Sequence, residues 1–115
     1  ADACESVGLK LPQLSEDSIA RLKSILSANA SFGNPVDVIA SGSPKQFAAA
    51  IEIIGADPQI DAIVVVVVPT AVTDTAGIAL AIAESGGRVS KDKQFWRGFS
   101  QRLMPPRRFT KVRVE

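Results

Sequence analysis

The hydroxyl-bearing side chains of this 115-residue chain gather at two places, each directly after an apolar run. "ASGS" (residues 40–43) follows Val38 and Ile39, and "PTAVTDT" (residues 69–75) follows five consecutive valines, Val64 to Val68. Ser41, Ser43, Thr70 and Thr73 offer groups that can bond an oxyanion. Both stretches also run into helical patterns, whose first N–H groups favour negative charge. That is the chemistry of non-covalent anion binding. Covalent catalysis is disfavoured, because the chain contains no histidine and so lacks the commonest general base and any Ser–His or Cys–His pair. The single cysteine, Cys4, excludes an internal disulfide and a cysteine metal cluster. It reads as a small buried residue, since no neighbouring base would activate it. No catalytic residue and no metal ligand is expected. The plainer reading of the four hydroxyls is that they cap helices. Asp37, two residues after a proline, is likewise either a turn-capping carboxylate or a site residue.

The elements that would carry these residues follow from local patterns. Residues 2–7 resemble the end of a helix, with Gly8 as a left-handed stop. "LSEDSIARLKSIL" opens a second helix on Ser15, with Glu16 and Asp17 at its positive end and Ile19, Leu22, Ile25 and Leu26 forming one apolar stripe. Val36, Val38 and Ile39 suggest a short strand entered from a Gly-Asn-Pro turn. A third helix begins with Ser43 as cap and Pro44 in the first turn, buries Phe47, Ile51 and Ile54, and stops at Gly55. Ile60 to Val68 form a strand, and Thr73 or Asp74 caps a fourth helix that ends at Gly86-Gly87. Strands alternating with amphipathic helices indicate βαβ units and a parallel sheet. An unbroken valine run is expected where helices cover both faces of that sheet. In such sheets ligands bind beyond the carboxyl ends of the strands, which is where both hydroxyl clusters fall.

Composition sets the remaining bounds. At 46% hydrophobic and 22% charged, the chain suits one modest domain with a packed core. No stretch approaches the roughly 20 apolar residues of a membrane span, and no signal peptide is visible. A cytoplasmic setting is therefore expected. The net charge of +1 conceals a division. Residues 1–87 carry four basic against ten acidic side chains, and residues 88–115 carry nine against two. An acidic body, 1–87, is thus expected to precede a basic tail, 88–115, of uncertain origin: frameshifted, foreign or a native extension. Arg88, Lys91, Asp92 and Lys93 argue against a fully buried strand there. "RFTKVRV" has strand-like character, and Phe95, Trp96 and Phe99 among bases suggest either packing at a sheet edge or nucleic-acid stacking.

Several stretches together carry a family resemblance: the "GNPVD" turn, the "SP…F..A…I..DP.IDA" helix and turn, the strand ending "VPTAVTDT", and the upstream "GL", "LP.LS" pattern. Over residues 1–84 the chain resembles the flavodoxin-like CoA-ligase domain of NDP-forming acyl-CoA synthetases, the ADP-forming relatives of succinyl-CoA synthetase. The resemblance implies an α/β fold with a flavodoxin-like parallel sheet and helices on both faces, here truncated at the N-terminal strand. It implies a share in the reaction acid + CoA + NTP = acyl-CoA + NDP + phosphate. Carried over by position, Asn34, Pro35 and Asp37 would lie in one loop near the acyl-phosphate site, and Pro69, Thr70 and Thr73 in the loop that meets the organic acid; Ser41 and Ser43 are candidates for the same site by their place beyond a strand's carboxyl end. Succinate-using relatives have a Gly-rich, Arg-containing loop there. Its replacement by Pro-Thr-Ala-Val-Thr points to a short monocarboxylic acid.

The resemblance also implies what this chain would not do alone. The travelling phosphohistidine, the CoA-binding domain and the ATP-grasp domain lie elsewhere in such enzymes. The fragment itself is expected to bind no cofactor, with CoA, ATP or ADP and Mg belonging to the intact enzyme. Its partners would be those other domains or subunits, and a second copy is expected to pair through an open sheet edge. Membrane association is not expected, and nucleic acid is disfavoured as a partner. Two alternatives remain: a non-catalytic regulatory module of a protein acetyltransferase, and nucleic-acid binding through the basic tail.

Overall fold

Three side chains begin the three long helices by accepting hydrogen bonds that the first turns would otherwise lack. The computed structural model describes residues 2–89 and 93–99. Ser15 caps α2 (Glu16–Ile25), where its Oγ accepts from Ser18 N–H at 3.3 Å. Ser43 and Gln46 form a reciprocal capping box at the start of α3 (Pro44–Ala56), with Pro44 in the first turn. Asp74 caps α4 (Thr75–Gly86) through Gly77 N–H at 3.0 Å. A short α1 (Asp2–Ser6) is followed two residues on by Gly8, whose φ of 85° is the left-handed stop read from the sequence.

The sheet has two described strands, β1 (Ala62–Val67) and β2 (Gln94–Phe99). They run parallel, from Ala62↔Gln94 to Val67↔Phe99, with α4 as the crossover. β2 lies inside the segment that composition assigned to a basic tail, so the boundary expected after residue 87 falls short. The expected obstacle was charge. Arg88 and Lys93 both precede β2: the Lys93 ammonium donates to the Asp57 carbonyl, and Arg88 pairs with Glu52 at 2.6 Å, whereas Lys91 and Asp92 lie outside the described residues. Residues 100–115, including "RFTKVRV" and most of the basic side chains, lie outside the described residues.

α3 packs against α4 and against one face of β1, and the core joins Ile63, Val65 and Val67 to Leu22, Ile51, Ile78 and Ile82. The other face is bare. Val64, Val66 and Val68 are 58%, 61% and 57% exposed, so among the described residues the helices cover one face and not both. Successive side chains on a strand point to opposite faces, and a single helical layer can bury only alternate valines. The strand expected at Val36–Ile39 also fails to form. Asp37 Oδ1 accepts from Ile39 N–H at 2.9 Å, and Ile39 sits at φ 61°, which turns the chain away from extension. What remains is an isolated antiparallel bridge between Ser31 and Asp37.

One buried carboxylate joins the two halves. Asp57, 1% exposed, follows α3 and accepts from Ser15 N–H at 2.8 Å, Ser15 Oγ–H at 2.9 Å and Gln59 N–H at 2.9 Å. Burial alone would raise its pKa. The bonds from Ser18, Gln59 and Ser15 outweigh that penalty and lower it from 3.8 to about 2. A depressed folded-state pKa means stability that is present above the unfolded value and lost as pH falls through the folded one. Asp57 should therefore contribute about 2 kcal/mol at neutral pH, draining away between about pH 4 and pH 2. In urea titrations Asp57→Ala is expected to cost about 3 kcal/mol at pH 7. Asp57→Asn should flatten the acid limb; an unchanged acid limb would contradict this role.

Candidate functional site

Two loops meet at the carboxyl end of β1. One runs from Asn34 to Ser43, the other from Pro69 to Asp74. Their junction is Thr73, whose Oγ1 reaches the Ala40 carbonyl at 3.5 Å and accepts from Thr70 N–H at 3.2 Å. The two threonine hydroxyls lie 2.6 Å apart, so one donates to the other. One hydroxyl proton of the pair then remains for a ligand oxygen or for Ala40.

Below this junction lies a groove of about 350 Å³, lined by residues 34–40, residues 62–68, Thr70, Thr73 and the inner side of α3. Apart from the Asn34 amide, the Asp37 carboxylate and the two threonines, its side chains are apolar. Ile39, a β-branched residue held at φ 61°, lines it beside Ala40. Such backbone costs about 1–3 kcal/mol and is characteristic of loops shaped for function.

The residues singled out in the sequence separate into two groups. Asn34, Pro35, Asp37, Thr70 and Thr73 share the groove, whereas Ser41, Ser43 and Pro69 do not line it. Asn34 Nδ2 donates to the Pro12 carbonyl at 3.0 Å, which ties its loop to the segment before α2. Pro35 follows a cis peptide bond. Asp37 is exposed and serves its own turn through Ile39 N–H. Ser43 is committed to its capping box with Gln46, and Ser41 is an exposed loop residue.

The helix N-termini are less open to an anion than the sequence suggests. At α4 the Asp74 carboxylate already occupies the position that a ligand oxygen would take. At α3, Pro44 has no N–H, and Gln46 and Phe47 N–H are both held by Ser43. Among the described residues this leaves Lys45 and Ala76 N–H as the unengaged first-turn donors. Sequence reasoning recognised Asp74 as a cap, but it did not draw the consequence that a capping carboxylate repels an incoming anion. It also missed the apolar groove wall, Val36, Val38 and Phe47 among them, because a fold alone brings those segments together. No group of three or more His, Cys, Asp or Glu side chains converges among the described residues, so they do not fit a metal centre.

Comparison with known proteins now gives this geometry a context. The Ligase-CoA domain family matches residues 1–98, and the chain belongs to that family. An ADP-forming acetate–CoA ligase, isoform I, of Archaeoglobus fulgidus is 34% identical over 74 residues, which are 64% of this chain and 11% of that protein. The alpha subunit of the isoform II ADP-forming acetate–CoA ligase of Pyrococcus furiosus is 38% identical over 71 residues, 61% of this chain and 16% of that one. Among solved structures, a Pyrococcus horikoshii protein superposes with a TM-score of 0.80 at 31% identity, covering 90% of this chain and 24% of its own. The dinucleotide-forming acetyl-coenzyme A synthetase 1 of Ca. Korarchaeum cryptofilum does so with a TM-score of 0.76 at 26% identity, covering 85% and 21%. That synthetase has also been solved with phosphate and ADP. The chain thus spans about a tenth to a sixth of the length of these curated relatives. No helix among the described residues is long and apolar enough to cross a membrane.

The two helix N-termini approach each other through a glycine. A Cβ on Gly77 would press into the Asp74 carboxylate and come within 2.8 Å of Pro44 Cγ. Gly77→Ala is therefore expected to lower stability by about 1 kcal/mol, despite alanine's better helix propensity, because the cap must move. Thermal unfolding checks this; a raised Tm would show that the cap tolerates displacement.

Proposed function

We propose that this chain acts as part of an ADP-forming acyl-CoA synthetase and contributes a wall of the site where a short organic acid meets the phosphoryl group. Family membership supports the class of enzyme. The observation that carries the local role is the Thr70–Thr73 hydroxyl pair, set at the carboxyl end of a parallel strand over an apolar groove. In α/β sheets this is where ligands bind. The β1–β2 pair would belong to a flavodoxin-like sheet that is wider in the whole protein. The partners would be the remaining domains or subunits of the synthetase, in a cytoplasmic setting.

The physical role is orientation and neutral hydrogen-bond donation. The spare hydroxyl proton of the threonine pair would bond one carboxylate oxygen of the acid in place of Ala40 O, with Thr73 donating to Thr70 and Thr70 to the acid. The apolar groove beneath accepts an alkyl chain. No arginine or lysine lines it, which favours a monocarboxylic acid over a dicarboxylic one. Phosphoryl charge would be met by groups outside this chain together with the Lys45 and Ala76 N–H donors, since Asp74 and Ser43 take the other first-turn positions. The described residues hold no cluster of three or more carboxylate, histidine or cysteine side chains that would fit the Mg²⁺ of the reaction.

Two measurements test this reading. In the synthetase that contains this segment, Thr70→Val should raise KM for the acid roughly tenfold to a hundredfold while leaving KM for ADP unchanged. Equal effects on both substrates, or on neither, would remove Thr70 from the acid site. The 115-residue chain by itself should form no acyl-CoA from acetate, CoA and ATP. Turnover by the pure polypeptide would mean that it holds a complete active site.

A further inference from the structure

Asp57 is followed by Pro58, and theirs is the one Asp-Pro bond in the chain. Such a bond carries its own nucleophile. The aspartate carboxylate can reach its own main-chain carbonyl carbon, and a proline nitrogen, a tertiary amide with no N–H, takes a proton and leaves more readily than other peptide nitrogens. Here the fold supplies further parts. The Asp57 carbonyl oxygen accepts from Ile60 N–H at 3.2 Å and from the Lys93 ammonium, so two donors already sit where negative charge would develop. Pro58 is exposed, which opens its nitrogen to solvent protons.

Only the nucleophile is restrained. Oδ2 accepts from Ser15 N–H and Oγ–H, and Oδ1 from Gln59 N–H, so both carboxylate oxygens are turned to other partners. That restraint comes from neutral donors. Glu16 and Asp17 of α2 and Asp61 ahead of β1 are exposed, Glu52 of α3 pairs with Arg88, and Lys93 is bonded to the carbonyl. We propose that Asp57–Pro58 is a latent self-cleavage site, held closed by Ser15, the cap of α2. When Ser15 lets go, a carboxylate oxygen of Asp57 attacks its own carbonyl carbon, and the oxyanion forms between Ile60 N–H and Lys93. Collapse yields a cyclic anhydride and breaks the bond to the Pro58 nitrogen, which takes a proton from solvent and becomes a new amino terminus. Water then opens the anhydride and leaves Asp57 with two free carboxyl groups. The reaction consumes only water. Its products are residues 1–57, with Asn34 and Asp37, and residues 58–115, with Thr70 and Thr73, so scission divides the groove. A chain whose α2 has come away from Asp57 is irreversibly split.

The test follows the 115-residue chain by mass spectrometry during prolonged warm incubation at about pH 4, where the native Asp57 carboxyl, with a pKa of about 2, is still ionised. Circular dichroism reports the fold alongside. The folded chain is expected to release fragments 1–57 and 58–115 roughly tenfold more slowly than the chain unfolded in guanidinium chloride. Folded Ser15→Ala should cleave at the same bond roughly fivefold faster than the folded parent, and adding Lys93→Met should slow it again. Cleavage of the folded parent as fast as the unfolded chain would overturn the proposal, because Ser15 would then hold nothing closed. So would equal rates with and without Lys93, which would reduce the site to the ordinary acid lability of any Asp-Pro bond. Should Ser15→Ala not fold, the parent and Lys93→Met, each folded and unfolded, decide the same two points.

Discussion

Asp57 is the constraint on which the arrangement rests. Its carboxylate is buried at the point where α3 ends and the turn to β1 begins, and it holds the first turn of α2 through Ser15. Those partners are 42 residues apart in sequence. A buried charge is tolerable only when its lone pairs are satisfied, and here Ser15, Ser18 and Gln59 do so. The same group therefore caps a helix, shapes a turn and fixes the spacing between two helices. Gln46, reaching from α3 to the Ile25 carbonyl at 3.0 Å, repeats that link at the opposite end of α2.

From this frame the site follows. α3 begins at the Ser43 box, α4 at the Asp74 cap, and Gly77 lets the two starts come together. Both preceding loops are thereby drawn to the carboxyl end of β1, where Thr73 meets Ala40. The caps that assemble the site also use most of the donors that a free helix N-terminus would offer. Local folding and anion binding compete for the same N–H groups, and folding has taken the larger share. The result is a junction whose polar character comes from two neutral hydroxyls above an apolar groove.

β1 shows how much surface the fold leaves unsatisfied. One of its edges is paired and one of its faces is buried. The second face is more than half exposed, and among the described residues no backbone hydrogen bond crosses the second edge. A strand made of β-branched residues is stable on both sides only when both sides are packed.

The sequence by itself determined what depends on neighbours in the chain. Helix starts at Ser15, Ser43 and Asp74, the stop at Gly8, the parallel βαβ logic and the position of Thr70 and Thr73 after a strand were all legible, because caps, glycine geometry and period are local. The motifs "GNPVD" and "VPTAVTDT" carried the family as well. Tertiary structure decided the rest. Valine is the same letter on a covered face and on a bare one, so the exposure of Val64, Val66 and Val68 could not be read from the run. Val36–Ile39 has strand composition, yet the Asp37 turn and the left-handed Ile39 set its path. Charge at Arg88 and Lys93 weighed against a following strand, yet both precede β2, and their partners, Glu52 and the Asp57 carbonyl, are distant in sequence. Polar and charged groups are costly or harmless according to what lies opposite them, and only the fold specifies that.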